Sequence, residues 1–110
     1  AAYNDIHEAV LADDQDGVRV MVATGHSVLQ RNTDGEMPLH VAAEHGKLEM
    51  VKLLVNEFGV DVHVEARFQL TPLHLACATG QCEVIKELLS LKAELNRPDE
   101  EGSTPLHWAA

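Results

Sequence analysis

Thr71-Pro72-Leu73-His74-Leu75-Ala76-Cys77 is written twice more in this chain. It occurs as Met37-Pro38-Leu39-His40-Val41-Ala42-Ala43 before it and as Thr104-Pro105-Leu106-His107-Trp108-Ala109-Ala110 after it. The three prolines stand 34 and then 33 residues apart. A step of 33 back from His40 reaches His7 in Asp5-Ile6-His7-Glu8-Ala9, where the histidine and one alanine are kept and Thr-Pro-Leu is not. A fixed period of this size marks a chain built from one repeated supersecondary unit.

The remainder of the unit repeats as well. Gly46-Lys47-Leu48-Glu49-Met50-Val51-Lys52-Leu53-Leu54-Val55 aligns with Gly80-Gln81-Cys82-Glu83-Val84-Ile85-Lys86-Glu87-Leu88-Leu89. The residue that makes one spacing 34 lies near Phe58, where the second helix is expected to run one residue longer. Each unit reads as two short helices and a turn. Thr before Pro starts a helix: the hydroxyl accepts a bond from a first-turn N–H, and proline lacks the N–H that would go unsatisfied. Met37 in place of Thr predicts one missing cap. Gly46 and Gly80 are placed to end the first helices in a left-handed conformation, and Asp13 holds that place in the first unit at a cost in strain. Leu48, Val51, Leu54 and Val55 share one helical face. Neither helix can bury its apolar face alone, so successive units must stack.

These residues closely resemble the ankyrin-repeat family. The carriers are the Pro-Leu-His-x-Ala motif, the Gly-x-Leu/Cys-Glu-x-Val/Ile-Lys segment, and the linkers Gly59-Val60-Asp61-Val62 and Glu94-Leu95-Asn96. The resemblance implies an all-α solenoid of stacked helix-turn-helix units with short β-hairpin-like fingers. Its units would run roughly over 1–32 (a degenerate N-terminal cap), 33–66, 67–99 and a partial 100–110, all in a single domain. Asn32-Thr33-Asp34-Gly35 and Asp99-Glu100-Glu101-Gly102 look like finger turns of the family, whereas Arg67-Phe68-Gln69-Leu70 has no glycine and Lys92 stands where a glycine is usual. Ending inside the first helix of a fourth unit suggests a piece of a longer array, or an end whose remaining helix comes from elsewhere.

Composition narrows the function. Eighteen acids against eight Lys plus Arg leave a formal charge of −10, which repels phosphate backbones and anionic membranes. Apolar runs are too short to span a bilayer, and Ala1-Ala2-Tyr3-Asn4-Asp5 lacks a signal-peptide pattern. Two cysteines are too few for a disulfide scaffold, so a cytoplasmic or nuclear location is expected. Cys77 and Cys82 are read as small buried residues. The resemblance implies that His40, His74 and His107 bond within and between units. His7-Glu8-Ala9-Val10-Leu11 lacks the second histidine of a zinc-protease helix, and Asp13-Asp14-Gln15-Asp16-Gly17 lacks the terminal glutamate of a calcium loop. No nucleophile elbow or phosphate loop is present, so catalytic, cofactor and metal sites are all expected to be absent.

What remains is surface. By the resemblance, recognition falls to finger residues Thr33, Glu36, Arg67, Phe68, Leu70, Glu100 and Ser103, and to Glu44, His45, Ala78 and Thr79 on the first helices. Phe68 and Leu70 with Arg67 beside them have the composition of a binding hot spot. Acids flank them: Asp34, Glu36, Glu44, Glu100 and Glu101. A protein partner with a basic segment and one large apolar anchor is therefore expected, without nucleic acid or membrane. The alternative is a regulatory or targeting segment of a larger enzyme, channel or effector. Trp108 is read as core, with some of its ring left over for self-association at the C-terminal end. Asn96 sits in a pattern similar to one that an asparaginyl hydroxylase modifies in ankyrin domains.

Overall fold

A computed structural model describes residues 3–109. Ala1, Ala2 and Ala110, which belong to the signal-segment reading and to the third motif copy, lie outside the described residues. Among the described residues seven α-helices follow one another: α1 Ile6–Leu11, α2 Gln15–Ala23, α3 Pro38–Glu44, α4 Leu48–Lys52, α5 Pro72–Ala78, α6 Cys82–Ser90 and α7 Pro105–Ala109. No strand occurs among the described residues. The short helices α1, α3, α5 and α7 pack side by side in that order, and α4 lies against α6 behind them. The result is an elongated body of 38 × 25 × 20 Å.

Apolar side chains from every helix pair meet between these layers. Ile6, Val10, Val18, Leu39, Met50, Val51, Leu54, Leu73, Val84 and Leu88 are fully buried. At roughly 1.5–3 kcal/mol for each such side chain, stacking supplies the stabilisation that no single pair could.

Helix starts follow the sequence chemistry. The Thr71 hydroxyl accepts from the His74 N–H at 3.4 Å, while Met37 makes no side-chain cap bond. Asp5 caps α1 by accepting from the Glu8 N–H at 3.0 Å, and Asp14 caps α2 by accepting from the Gly17 N–H at 2.9 Å. The acidic turn read against a calcium loop is thus a helix start. First helices end with a left-handed residue, at φ 71° for Gly46, 70° for Gly80 and 55° for Asp13. Lys92 takes φ 74° where Gly59 takes 68° at the end of the previous second helix.

The extra residue of the 34-residue spacing is absorbed as a π-helical turn, Leu53–Glu57, that continues α4. The Phe58 N–H reaches back to the Leu53 carbonyl at 3.4 Å. Widening one turn lengthens the helix while leaving Leu53 and Leu54 buried.

Two core assignments are corrected. Trp108 is 43% exposed, although the aligned Val41 and Leu75 are 4% and 9% exposed. Those two are covered by the first helix that comes next, and no first helix follows α7 among the described residues. Cys82 is exposed, while Cys77 is buried as read. Leu48, with which Cys82 aligns, is itself only half-buried, and no second helix follows α6 among the described residues.

Candidate protein-binding face

The fingers are held by histidine. His40 Nδ1 accepts from the Met37 N–H at 3.1 Å, and His74 Nδ1 accepts from the Thr71 N–H at 3.0 Å. A neutral ring with an accepting Nδ1 carries its proton on Nε2. That N–H then donates to the next finger: His40 Nε2 to the Leu70 carbonyl at 2.9 Å, and His74 Nε2 to the Ser103 carbonyl at 3.0 Å. His7 Nε2 meets the Glu36 carbonyl at 2.9 Å in the same register. Glu36, Leu70 and Ser103, three of the finger positions singled out, are therefore fixed through their backbones by the preceding unit. Burial drives the His40 pKa down to about 4, so its ring is neutral at physiological pH. His107 repeats the inner bond, with Nδ1 accepting from the Thr104 N–H at 3.0 Å.

Each finger closes with the same backbone bond, Asn32 N–H to Glu36, Ala66 N–H to Leu70 and Asp99 N–H to Ser103, at 2.9, 2.8 and 2.8 Å. The outer two fingers have an added brace. Asn32 Oδ1 accepts from the Asp34 and Glu36 N–H groups, and Asp99 Oδ1 from those of Glu101 and Ser103. Ala66 offers no such side chain. The middle finger instead turns through two left-handed residues, Phe68 at φ 61° and Gln69 at φ 58°. Leu70 N–H donates to the Arg67 carbonyl across them at 3.3 Å. Positive φ at both central positions is a type I′ pattern, which ordinarily asks for Asn or Gly. A bulky aromatic there is strained, and strain of this kind gathers at functional positions.

The fingers are also tied to one another. Arg31 donates to the Gly35 and Glu65 carbonyls at 2.7 and 2.6 Å, and Arg97 meets Glu65 at 3.4 Å. The Glu100 N–H donates to the Phe68 carbonyl at 2.7 Å. A methyl added at Gly35 would press on Arg67 at 3.1 Å, so the middle finger rests directly on the first. Asn32 and Asp99 were read only as the openings of finger turns, although position 32 recurs at 66 and 99 as Asn, Ala and Asp, and Arg31 and Arg97 were not singled out from sequence.

The selected side chains lie mostly outward. Thr33, Arg67, Phe68 and Glu100 are exposed on the fingers, and Phe68 is 62% exposed rather than folded onto a neighbour. Leu70, Glu36 and Ser103 are half-buried. His45 is exposed at the end of α3, beside half-buried Glu44 at 3.8 Å. Partial burial, then the nearby Glu44 charge, raises the Glu36 pKa, so finger and helix acids converge. Ala78 and Thr79 are exposed at the end of α5, but the Thr79 hydroxyl lies 2.8 Å from the Leu75 carbonyl and 3.0 Å from that of Glu44. It links two units. Among the described residues no cluster of His, Cys, Asp or Glu suits a metal ion, and no helix is long and apolar enough to cross a membrane.

Stacked helix pairs with histidine-tied fingers define a helical repeat protein whose outward side chains are separate from its core. The chain belongs to the ankyrin-repeat family: a family model for ankyrin repeats in three copies matches residues 6–99 and 58–110. Ankyrin repeats are protein-interaction modules. The chain is similar to protein phosphatase 1 regulatory subunit 27 of Homo sapiens, at 37% identity over 79% of this chain and 52% of that protein. It is similar to alpha-latrotoxin-Lhe1a of Latrodectus hesperus, at 38% over 73% of this chain and 6% of the toxin. It is also similar to transient receptor potential cation channel subfamily A member 1 of Homo sapiens, at 29% over 96% of this chain and 9% of the channel. The chain thus spans about half of the first relative and under a tenth of the other two.

Proposed function

We propose that this chain is a non-enzymatic binding module that takes a partner protein on its finger tips and the adjoining ends of its first helices. The contact set is Thr33, Glu36, Glu44, His45, Arg67, Phe68, Leu70, Ala78, Thr79, Glu100 and Ser103. The observation that carries this reading is Phe68, an aromatic residue 62% exposed on a left-handed turn and braced between two other fingers. Holding a large apolar group in water on a strained backbone gains the fold nothing; presented to a partner, it is a preformed anchor. The acids around it favour a partner with a basic segment. Stacking as one domain, with unit boundaries near 32, 66 and 99, and a cytoplasmic or nuclear location with unpaired thiols accord with this reading.

A pull-down with the chain as bait, controlled by a Phe68/Leu70 double variant, supplies the partner. Phe68→Ala is expected to lower affinity more than about tenfold, while Glu36→Lys mainly slows an association that added salt also slows. Unchanged calorimetry and kinetics for both variants would remove this surface from the account. The small shares of the toxin and the channel that match favour a second reading, in which the module regulates or targets a larger multidomain protein.

A further inference from the structure

A cleft of about 150 Å³ opens between the middle and last fingers, lined by Phe68, Leu70, Asp99, Glu101 and Trp108. Its volume is that of a cavity that holds one benzene-sized ring and falls well short of the roughly 300–1,000 Å³ of cofactor sites. Each of its three apolar wall residues is hydrogen-bonded to another element, Phe68 and Leu70 through their backbone carbonyls and Trp108 through its indole. Glu100 N–H holds the Phe68 carbonyl at 2.7 Å, His40 Nε2 holds the Leu70 carbonyl at 2.9 Å, and the Trp108 indole N–H donates to Asp99 Oδ2 at 3.0 Å. Asp99 is 7% exposed and also accepts from Glu101 and Ser103, so its carboxylate is committed to building the cleft. Glu101 stands exposed at the rim, next to exposed Glu100, on a chain of charge −10.

We propose that this cleft is the anchor subsite of the binding face: it takes one aromatic or long aliphatic side chain of a partner segment in which a Lys or Arg, one or two residues away, meets Glu101. The proposal rests on the protein-binding reading and narrows it to a place and a residue pattern. Pre-tethered walls lower the ordering cost of capture, and the acidic rim selects for a neighbouring cation. Asp99 and Trp108 are positioning and wall residues that the fingertip set leaves out.

The test selects random dodecapeptides displayed on phage against the immobilised chain, then maps the best peptide by NMR. Enriched peptides should carry Phe, Trp, Leu or Met close to Lys or Arg and shift the Trp108 indole N–H and the Phe68 and Leu70 signals. Phe68→Ala should weaken binding at least tenfold and Glu101→Gln about fivefold, an exposed ion pair's worth. Both residues are exposed, and the dispersion of the remaining amide signals verifies the fold of each variant. Peptides that bind but shift Glu36, Glu44 and His45 without Trp108 would overturn the subsite and leave the binding reading standing. Peptides whose affinity ignores Glu101→Gln and whose sequences lack the cation would overturn the charge rule. Concentration-dependent shifts at Trp108 without peptide, with a dimer in sedimentation, would give the cleft to a second copy. Failure to enrich any peptide would count against both readings.

Discussion

His40 takes one backbone N–H from its own helix start and gives one N–H to the next finger, and the accepting bond at Nδ1 requires a neutral ring. Its folded pKa of about 4 lies below the ordinary 6.5. Between those values the unfolded chain binds a proton that the fold refuses. Stability is therefore complete above about pH 6.5 and declines as pH falls toward 4, by roughly 3 kcal/mol for a displacement of this size. Following the His40 ring signal by NMR should show no protonation until near pH 4; a midpoint near 6.5 would refute the tie. Gln69 carries the opposite burden, a left-handed conformation in a residue with a Cβ. Gln69→Gly should stabilise the chain by about 1 kcal/mol in urea denaturation; a lowered midpoint would show that the turn is not strained there. The histidine register was legible in sequence because a repeated motif repeats its bonds. The missing glycine of the middle finger was legible too, but not the paired left-handed residues that replace it, since nothing local demands them.

At the scale of helices, capping explains what the repeated motif does and what its one deviation costs. Thr71 caps α5 while Met37 leaves α3 without a side-chain cap. Met37→Thr should raise stability by roughly 1 kcal/mol, measured by the urea midpoint, and Thr71→Val should lower it by a similar amount. If the two substitutions move stability the same way, the caps are not the reason. The lengthened second helix near Phe58 was visible as a change of spacing, but its π-helical form was not. Sequence spacing counts residues; it does not say whether one more is wound into a wider turn or added at an end. The first unit shows a similar gap. It lacks Thr-Pro-Leu, yet Asp5 caps α1 one register position later and His7 still reaches the Glu36 carbonyl.

Across the whole molecule, one wall of side chains is consumed by stacking and another is left outward. Repeat register forecast burial well where a neighbouring helix stands on the position, as at Val41 and Leu75, and failed at Trp108 and Cys82, where none does among the described residues. Burial in a solenoid belongs to the neighbour as much as to the residue. The outward fingertip positions were legible through the family resemblance. The cross-finger bonds of Arg31, Glu65, Arg97 and Glu100, which stiffen them, depend on three-dimensional adjacency and left no mark in a single unit.

Hydrogen–deuterium exchange of the chain, free and saturated with its partner or a selected peptide, tests the central claim most directly. The account predicts added protection in the finger turns 32–36, 66–71 and 99–103 and at the ends of α3 and α5, with α2, α4 and α6 unchanged. Protection confined to α2, α4 and α6, with the fingers exchanging as in the free chain, would contradict it.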